Sequence, residues 1–201
     1  MEFHLSPIEK RDLLKAWAAI SFAFAIAFGG GLAGLTMDIR FLLSFAVAGL
    51  TVGIGFIAHE LSHKVLAQKY GCWAEFRSFD QMLMLAILFS FFGFIIAAPG
   101  GVFIKGRVTR ERNGKISAAG ILANIAVALL FFLLGISIPV PAVQTVAVYG
   151  MMINSWLALF NLIPFMGFDG SKVLAWNKLA YGALVASAFA LMFLSSGITV
   201  S

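Results

Sequence analysis

Residues 53–66 read GIGFIAHELSHKVL and place two histidines and a glutamate at the end of a strongly apolar run. This run begins at Phe41 and contains no proline, so one helix is predicted from there to about Tyr70, where Gly71 can end it. Polar and ionisable side chains are costly near hydrocarbon unless they have a partner. The stretch therefore predicts a membrane helix that carries a functional polar site.

The composition is that of a membrane protein. Of the 201 residues, 61% are hydrophobic and 11% are charged, whereas soluble domains carry about 25% charged residues. The apolar residues occur in runs of roughly 18–25, and ~20 such residues cross the hydrocarbon core as a helix. The net charge is +5, and the Lys and Arg residues lie mainly between these runs. This position favours a role in membrane orientation over nucleic-acid binding. A single cysteine excludes an intrachain disulfide and a cysteine-based metal cluster.

These runs predict an all-α integral membrane protein with about five to six transmembrane helices. A single polytopic membrane domain is expected over residues 1–201, with its functional core at about 41–178. The clear spans are predicted over 13–37, 41–70, 116–136, 143–165 and 179–194. Residues 73–80 are predicted to be irregular. The stretch 82–110 is predicted to hold a segment that dips into the membrane and then a short β-strand, near Val102–Ile104.

The positions of the cations predict that the apolar run 82–98 does not cross the membrane. If the run dips and returns, all of the 14 Lys and Arg residues except Arg40 lie on one face. If it crosses, they divide almost evenly between the two faces. Short cytoplasmic loops hold the excess of Lys and Arg. We therefore expect a multi-pass protein of the cell membrane whose functional polar site opens toward the cytoplasm.

His59 and His63 are four residues apart, so on a helix they occupy one face and can hold one Zn²⁺ together. Glu60 follows directly and is placed to act as general base toward an attacking water. A catalytic zinc site has three protein ligands and one open position. Asp169 is the best candidate for the third, because it follows an apolar stretch where a carboxylate is costly unless paired. A buried polar pair without metal and zinc binding without catalysis are the alternatives.

Two asparagines precede this aspartate in the predicted fourth span. Asn154 and Asn161 are seven residues apart and hence lie on roughly one helical face. They serve either as hydrogen-bonding groups between helices or as amides that orient substrate and stabilise an oxyanion. The sequence leaves both interpretations open.

HELSH at 59–63, followed by NLIPFMGFDG at 161–170, resembles the two motifs of the site-2 protease family of intramembrane zinc metalloproteases. That family carries H-E-x-x-H on one transmembrane helix and N-x-x-P-x-x-x-x-D-G on a later one. A weaker G-x-x-x-N element is present at Gly120 and Asn124, with Ile121 where the family usually has proline. The Pro-Gly-Gly stretch at 99–101 is similar to the family's strand region at the membrane edge.

The resemblance implies that His59, His63 and Asp169 bind zinc and that Glu60 is the catalytic acid and base. It implies a transmembrane protein or peptide as substrate, a lipid bilayer as surroundings, and regulated intramembrane proteolysis as the activity. A prenyl-protein processing enzyme is disfavoured, because it would take its third ligand from a later glutamate and none follows Glu111. A non-proteolytic membrane zinc-binding or transport module is the remaining alternative, although it would need polar residues along a whole pathway.

Overall fold

A computed structural model describes residues 4–36, 38–95, 99–165 and 167–195, and these are mostly helical. A π-helical turn at Gly49–Gly53 joins the second helix to the third, so that one helix runs continuously over Ile39–Lys69. In chain order the α-helices and β-strands are α1 (Pro7–Phe28), α2 (Ile39–Ala48), α3 (Ile54–Lys69), β1 (Trp73–Ser78), α4 (Asp80–Ser90), β2 (Gly100–Lys105), α5 (Arg110–Ser137), α6 (Pro141–Asn161), α7 (Asp169–Trp176) and α8 (Lys178–Ser195). A short 3₁₀ helix, Gly31–Gly34, lies between α1 and α2.

Among the described residues, four helices are long and apolar enough to cross a membrane: Ile39–Lys69, Arg110–Ser137, Pro141–Asn161 and Lys178–Ser195. The prediction of five to six was therefore too high. The difference lies in the predicted span 13–37. Helix α1 ends at Phe28, and its uncharged part, residues 16–28, is too short to cross as a helix. Met37, where that span was predicted to end, lies outside the described residues.

Two further boundaries differ from the prediction. Helix α6 ends at Asn161 and not near Phe165, because Pro164 has no N–H to continue the helical hydrogen bonds. Residues 73–80 were predicted to be irregular, but Trp73–Ser78 form β1, with Ala74 and Phe76 buried in alternation. This strand pairs with β2 in a two-stranded sheet, and β2 contains the strand predicted near residues 102–104.

The apolar run 82–98 contains α4, a helix of 11 residues. At 1.5 Å per residue its length is about 16 Å, roughly half of a hydrocarbon core. This helix is therefore too short to cross, as the cation distribution predicts. The end of the run, residues 96–98, lies outside the described part of the chain.

The chain divides into two compact units. The larger unit comprises Ala58–Trp73 and the chain from Ile104 onward, and the smaller unit comprises the chain up to Ile57 together with Ala74–Phe103. In the larger unit α5 packs against α6, α7 and α8. The core between these helices consists of Ala118, Ile121, Ala158, Leu162, Val173, Leu184 and Ala188. The expectation of one domain over residues 1–201 stays a prediction.

Helix α5 exposes large apolar residues along the face that points away from the core. Ala128 is fully buried, whereas Leu130 is 64% and Ile136 is 59% exposed. Small residues let membrane helices approach closely, and large apolar side chains on the outer face are expected where lipid surrounds the protein. Together with the four long apolar helices, this pattern indicates a membrane protein.

In the smaller unit α1 packs against α2, the π-helical turn and α4. The acidic side chain of Glu9 is fully buried, and its Oε1 accepts a hydrogen bond from the backbone N–H of Phe76, 2.9 Å away. Glu9, near the start of α1, thus provides the hydrogen-bond partner that a buried backbone N–H of strand β1 needs.

Candidate metal centre

Helix α3 places His59 and His63 one turn apart, with their side chains inside the larger unit. They are 6% and 8% exposed, and their Nε2 atoms are 2.9 Å apart. The spacing of four residues therefore brings the two imidazoles together as the sequence predicts.

Asp169 is the first residue of α7, and its carboxylate faces both imidazoles. Its Oδ2 lies 3.3 Å from His59 Nε2 and 2.9 Å from His63 Nε2. The next residue, Gly170, fits closely against the end of α6, since a Cβ there would lie 2.7 Å from the Cα of Leu162. Only glycine allows this approach, which sets the position of Asp169. The structure thus brings all three predicted ligands together, with their ligand atoms within 4.8 Å of one another.

The second ring nitrogen of each histidine faces an acceptor. His63 Nδ1 lies 2.8 Å from the main-chain oxygen of Ile116, and His59 Nδ1 lies 2.7 Å from Oδ1 of Asn124. Because a carbonyl oxygen only accepts, each Nδ1 carries the ring proton and donates it. Each Nε2 consequently carries a lone pair, which points at the Nε2 of the other histidine and at Asp169.

The carboxylate of Asp169 pairs with a cation on its far side. The other oxygen, Oδ1, lies 3.1 Å from Nζ of Lys172. Oδ2 is thereby directed at the histidines.

These atoms fit a tetrahedral zinc ion. Two nitrogen lone pairs and a carboxylate oxygen lie 2.9–3.3 Å apart with no proton to share, so they repel one another unless a cation lies between them. In a tetrahedral zinc site with bonds of 2.0–2.1 Å, ligand atoms are about 3.3 Å apart. The His₂Asp donor set and its spacing both suit Zn²⁺.

Gly120 on α5 keeps space beside the histidine rings. A Cβ at this position would lie 2.5 Å from His63 Nε2 and 2.8 Å from His59 Cε1, distances that real side chains do not tolerate. The G-x-x-x-N element therefore contributes at both ends: its glycine leaves room for the rings, and its asparagine contacts His59. The sequence alone indicates this element without a role for it, and the four-residue spacing on a helix is the signal that its two residues share one face.

The other predicted residues lie as follows. Glu60 follows His59 on α3 and is 8% exposed. Asn154 is fully buried and bonds to Asn124 and to its own helix. Asn161 donates to the carbonyl of Leu157, 3.0 Å away and also on its own helix. The catalytic role of Glu60 and the substrate roles of the two asparagines stay predictions.

No protein-family model and no solved structure matches the chain. The chain is 44% identical over 139 residues to "Putative zinc metalloprotease MJ0611" of Methanocaldococcus jannaschii, a match that covers 68% of this chain and 73% of that protein. It is 24% identical over 135 residues to "Zinc metalloprotease MJ0392" of the same organism; this match covers 65% of the chain but only 34% of the relative.

The first relative is similar over most of its length, and the metal group described above suits the metal in both names. The predicted cofactor, Zn²⁺, is thereby confirmed. The chain belongs to the zinc metalloproteases.

Proposed function

We propose that this protein is an intramembrane zinc metalloprotease of the site-2 protease kind, which cleaves transmembrane segments of membrane proteins. The observation that supports this most is the convergence of three ligand atoms on a helix of membrane length. His59 comes twenty residues after Ile39, or about 30 Å along a continuous helix that ends at Lys69. A metal group so placed lies within reach of a peptide bond at the membrane edge.

His59, His63 and Asp169 hold the metal in this proposal. Zinc at such a site supplies Lewis acidity, which polarises a peptide carbonyl and makes water nucleophilic at neutral pH. Glu60 accepts the proton of the attacking water and passes it to the leaving amine. Its place next to His59 on α3 keeps its carboxylate beside the metal group without making it a ligand.

The two asparagines take different parts. An amide NH₂ has two hydrogens, and Asn161 Nδ2 uses one for the carbonyl of Leu157, so it can offer the other to a substrate carbonyl or to an oxyanion. Asn161 lies at the end of α6, eight residues before Asp169. Asn154 acts on the metal group through Asn124.

The substrate is a transmembrane protein or peptide that must unwind locally, since helical peptide bonds are shielded. Strand β2 belongs to a two-stranded sheet, and on β1 the side chain of Glu9 already takes up the backbone N–H of Phe76. The outer edge of β2 is therefore the one with which an extended peptide can pair. In this proposal the protein crosses the cell membrane several times, and its site opens to the cytoplasm.

The test is cleavage of a labelled transmembrane peptide by the purified protein in detergent, with and without a zinc chelator. Cleavage should require zinc. Glu60→Gln should keep its zinc and lose cleavage by about 10²–10⁴-fold, the usual contribution of a general acid–base group.

Two results would contradict the proposal. Zinc binding by the wild-type protein without cleavage of any transmembrane peptide would favour a non-proteolytic zinc-binding or transport module. Loss of zinc in Glu60→Gln would mean that the glutamate is itself a ligand.

A further inference from the structure

We infer that Asn154 and Asn124 form an amide relay that fixes the ring proton of His59 on Nδ1 and so presents Nε2 to the metal. Both are positioning residues. The inference rests on the metal site of the proposed function and adds what determines the state of one of its ligands.

The relay starts at the main-chain oxygen of Gly150, which can only accept a hydrogen bond. The side-chain amide of Asn154 lies 2.8 Å from the main-chain oxygen of Gly150. A main-chain oxygen only accepts, so the NH₂ of Asn154 faces it and the amide oxygen faces the opposite way. The nitrogen and oxygen ends of an amide have almost the same shape, and the chemistry of the partner therefore decides the orientation.

The same reasoning passes along the relay. The oxygen of Asn154 lies 3.2 Å from the amide of Asn124, so the NH₂ of Asn124 faces Asn154. The oxygen of Asn124 then faces His59 Nδ1 at 2.7 Å. This acceptor requires the proton on Nδ1, and Nε2 becomes the lone pair that faces His63 and Asp169.

The two histidines are thus fixed in different ways. His63 donates directly to the main-chain oxygen of Ile116, and no side-chain substitution removes that acceptor. His59 depends on two side chains, from α5 and α6. Asn124 is 1% and Asn154 0% exposed, so bulk water is not at hand to take over either bond. Replacing Asn154 allows Asn124 to turn its NH₂ toward His59, which would move the ring proton to Nε2 and block that ligand.

The direct test measures the ring proton in the metal-free protein. With three histidines in the chain, ¹⁵N-histidine NMR can report which nitrogen of each ring is protonated. Wild type should carry the proton on Nδ1 of both His59 and His63. Asn154→Leu should shift the proton toward Nε2 at His59 alone and lower zinc affinity, measured by competition with a chelator, by about 10–100-fold.

A matched control and a rescue separate positioning from a general structural effect. Ser155→Ala removes a neighbouring buried hydroxyl that donates to the main-chain oxygen of Met151 on its own helix, and it should change neither the ring proton nor zinc affinity. A carboxylate at position 124 accepts from His59 whatever residue stands at 154. Asn124→Asp combined with Asn154→Leu should therefore restore the proton to Nδ1 and recover zinc affinity.

The inference is overturned if Asn154→Leu keeps the His59 proton on Nδ1 with unchanged zinc affinity, or if Asn124→Asp fails to rescue it. Should Asn154→Leu not fold, Asn124→Asp against Asn124→Leu decides, since only the former keeps an acceptor for His59. The ring-proton measurement needs no metal. A wild-type protein that binds zinc weakly or cleaves nothing would reject the proposed function and leave this result interpretable.

Discussion

Each of the three ligand side chains is held by a second polar atom that faces away from the metal group. His59 is held by Asn124, His63 by the main-chain oxygen of Ile116, and Asp169 by Lys172. Such outer contacts orient metal ligands before the metal arrives. The group is therefore preorganised, and a change at a ligand should reduce zinc binding more than it disturbs the fold.

Asp169→Ala should lose most of the bound zinc, because it removes one of three ligands. Asp169→Asn should fold as well as wild type but bind zinc more weakly, since an amide oxygen lacks the negative charge that the ion prefers. Metal analysis of the purified proteins measures both effects, and wild type should contain about one zinc per chain. Full zinc occupancy in Asp169→Ala would reject Asp169 as the third ligand.

Gly120→Ala should lower zinc content while the helices still form. Its Cβ would lie 2.5 Å from His63 Nε2, so the rings must shift away from their common point. Gly182→Ala on α8 is the control, because nothing lies within 4 Å of a Cβ at that position and alanine favours a helix. Circular dichroism and metal analysis of both variants check this prediction, which equal zinc content in the two would contradict.

The elements with a strong local signal were predictable, and those that depend on tertiary packing were not. The helix that carries the histidines ends at Lys69 before Gly71, whose φ of +77° suits glycine. Strand β1 was missed because its sequence, WAEFRS, includes a charged pair; what makes it a strand is the pairing with β2 and the burial of Phe76. The contact of Asn124 with His59 requires α5 to pack on α3, which no local pattern encodes.

The π-helical turn between α2 and α3 is supported by a side chain of α1. Trp17 donates from Nε1 to the main-chain oxygen of Gly49, 3.1 Å away. A Cβ at Gly53 would lie 2.5 Å from Trp17 Cδ1, so both glycines leave room for the indole. The wide turn and the tryptophan therefore depend on each other, as is usual where a helix departs from the regular pattern.

Trp17→Phe should lower the free energy of unfolding by about 1 kcal/mol or more, since it removes a hydrogen bond and part of a half-buried ring. Zinc stoichiometry should stay at the wild-type value, because the metal ligands all belong to the larger unit. Thermal unfolding in detergent, with metal analysis of the same samples, measures both quantities. A Trp17→Phe variant with the same thermal stability as wild type would show that the indole contact does not support the turn.

The order of the four long helices has a consequence for the whole protein. If Ile39–Lys69 crosses the membrane and the run 82–98 does not, then α5 starts on the side where α3 ends. Helix α5 crosses away from that side and α6 returns to it, so Asn161 and then Asp169 emerge where His63 lies. Both the distribution of Lys and Arg and the convergence of the metal ligands thus require that the run 82–98 does not cross the membrane. The two arguments rest on different residues.

Cysteine labelling tests this arrangement. With Cys72 replaced by alanine, Lys69→Cys and Lys105→Cys should react with a membrane-impermeant maleimide from the cytoplasmic side, and Arg40→Cys from the opposite side. All three positions are exposed in the structure, so a difference in labelling reports the side of the membrane and not burial. If Lys105→Cys reacted from the side of Arg40, the run 82–98 would cross and α5 and α6 would both be inverted. Asp169 would then emerge on the face opposite His63, where it could not reach the histidines, and the metal group could not form.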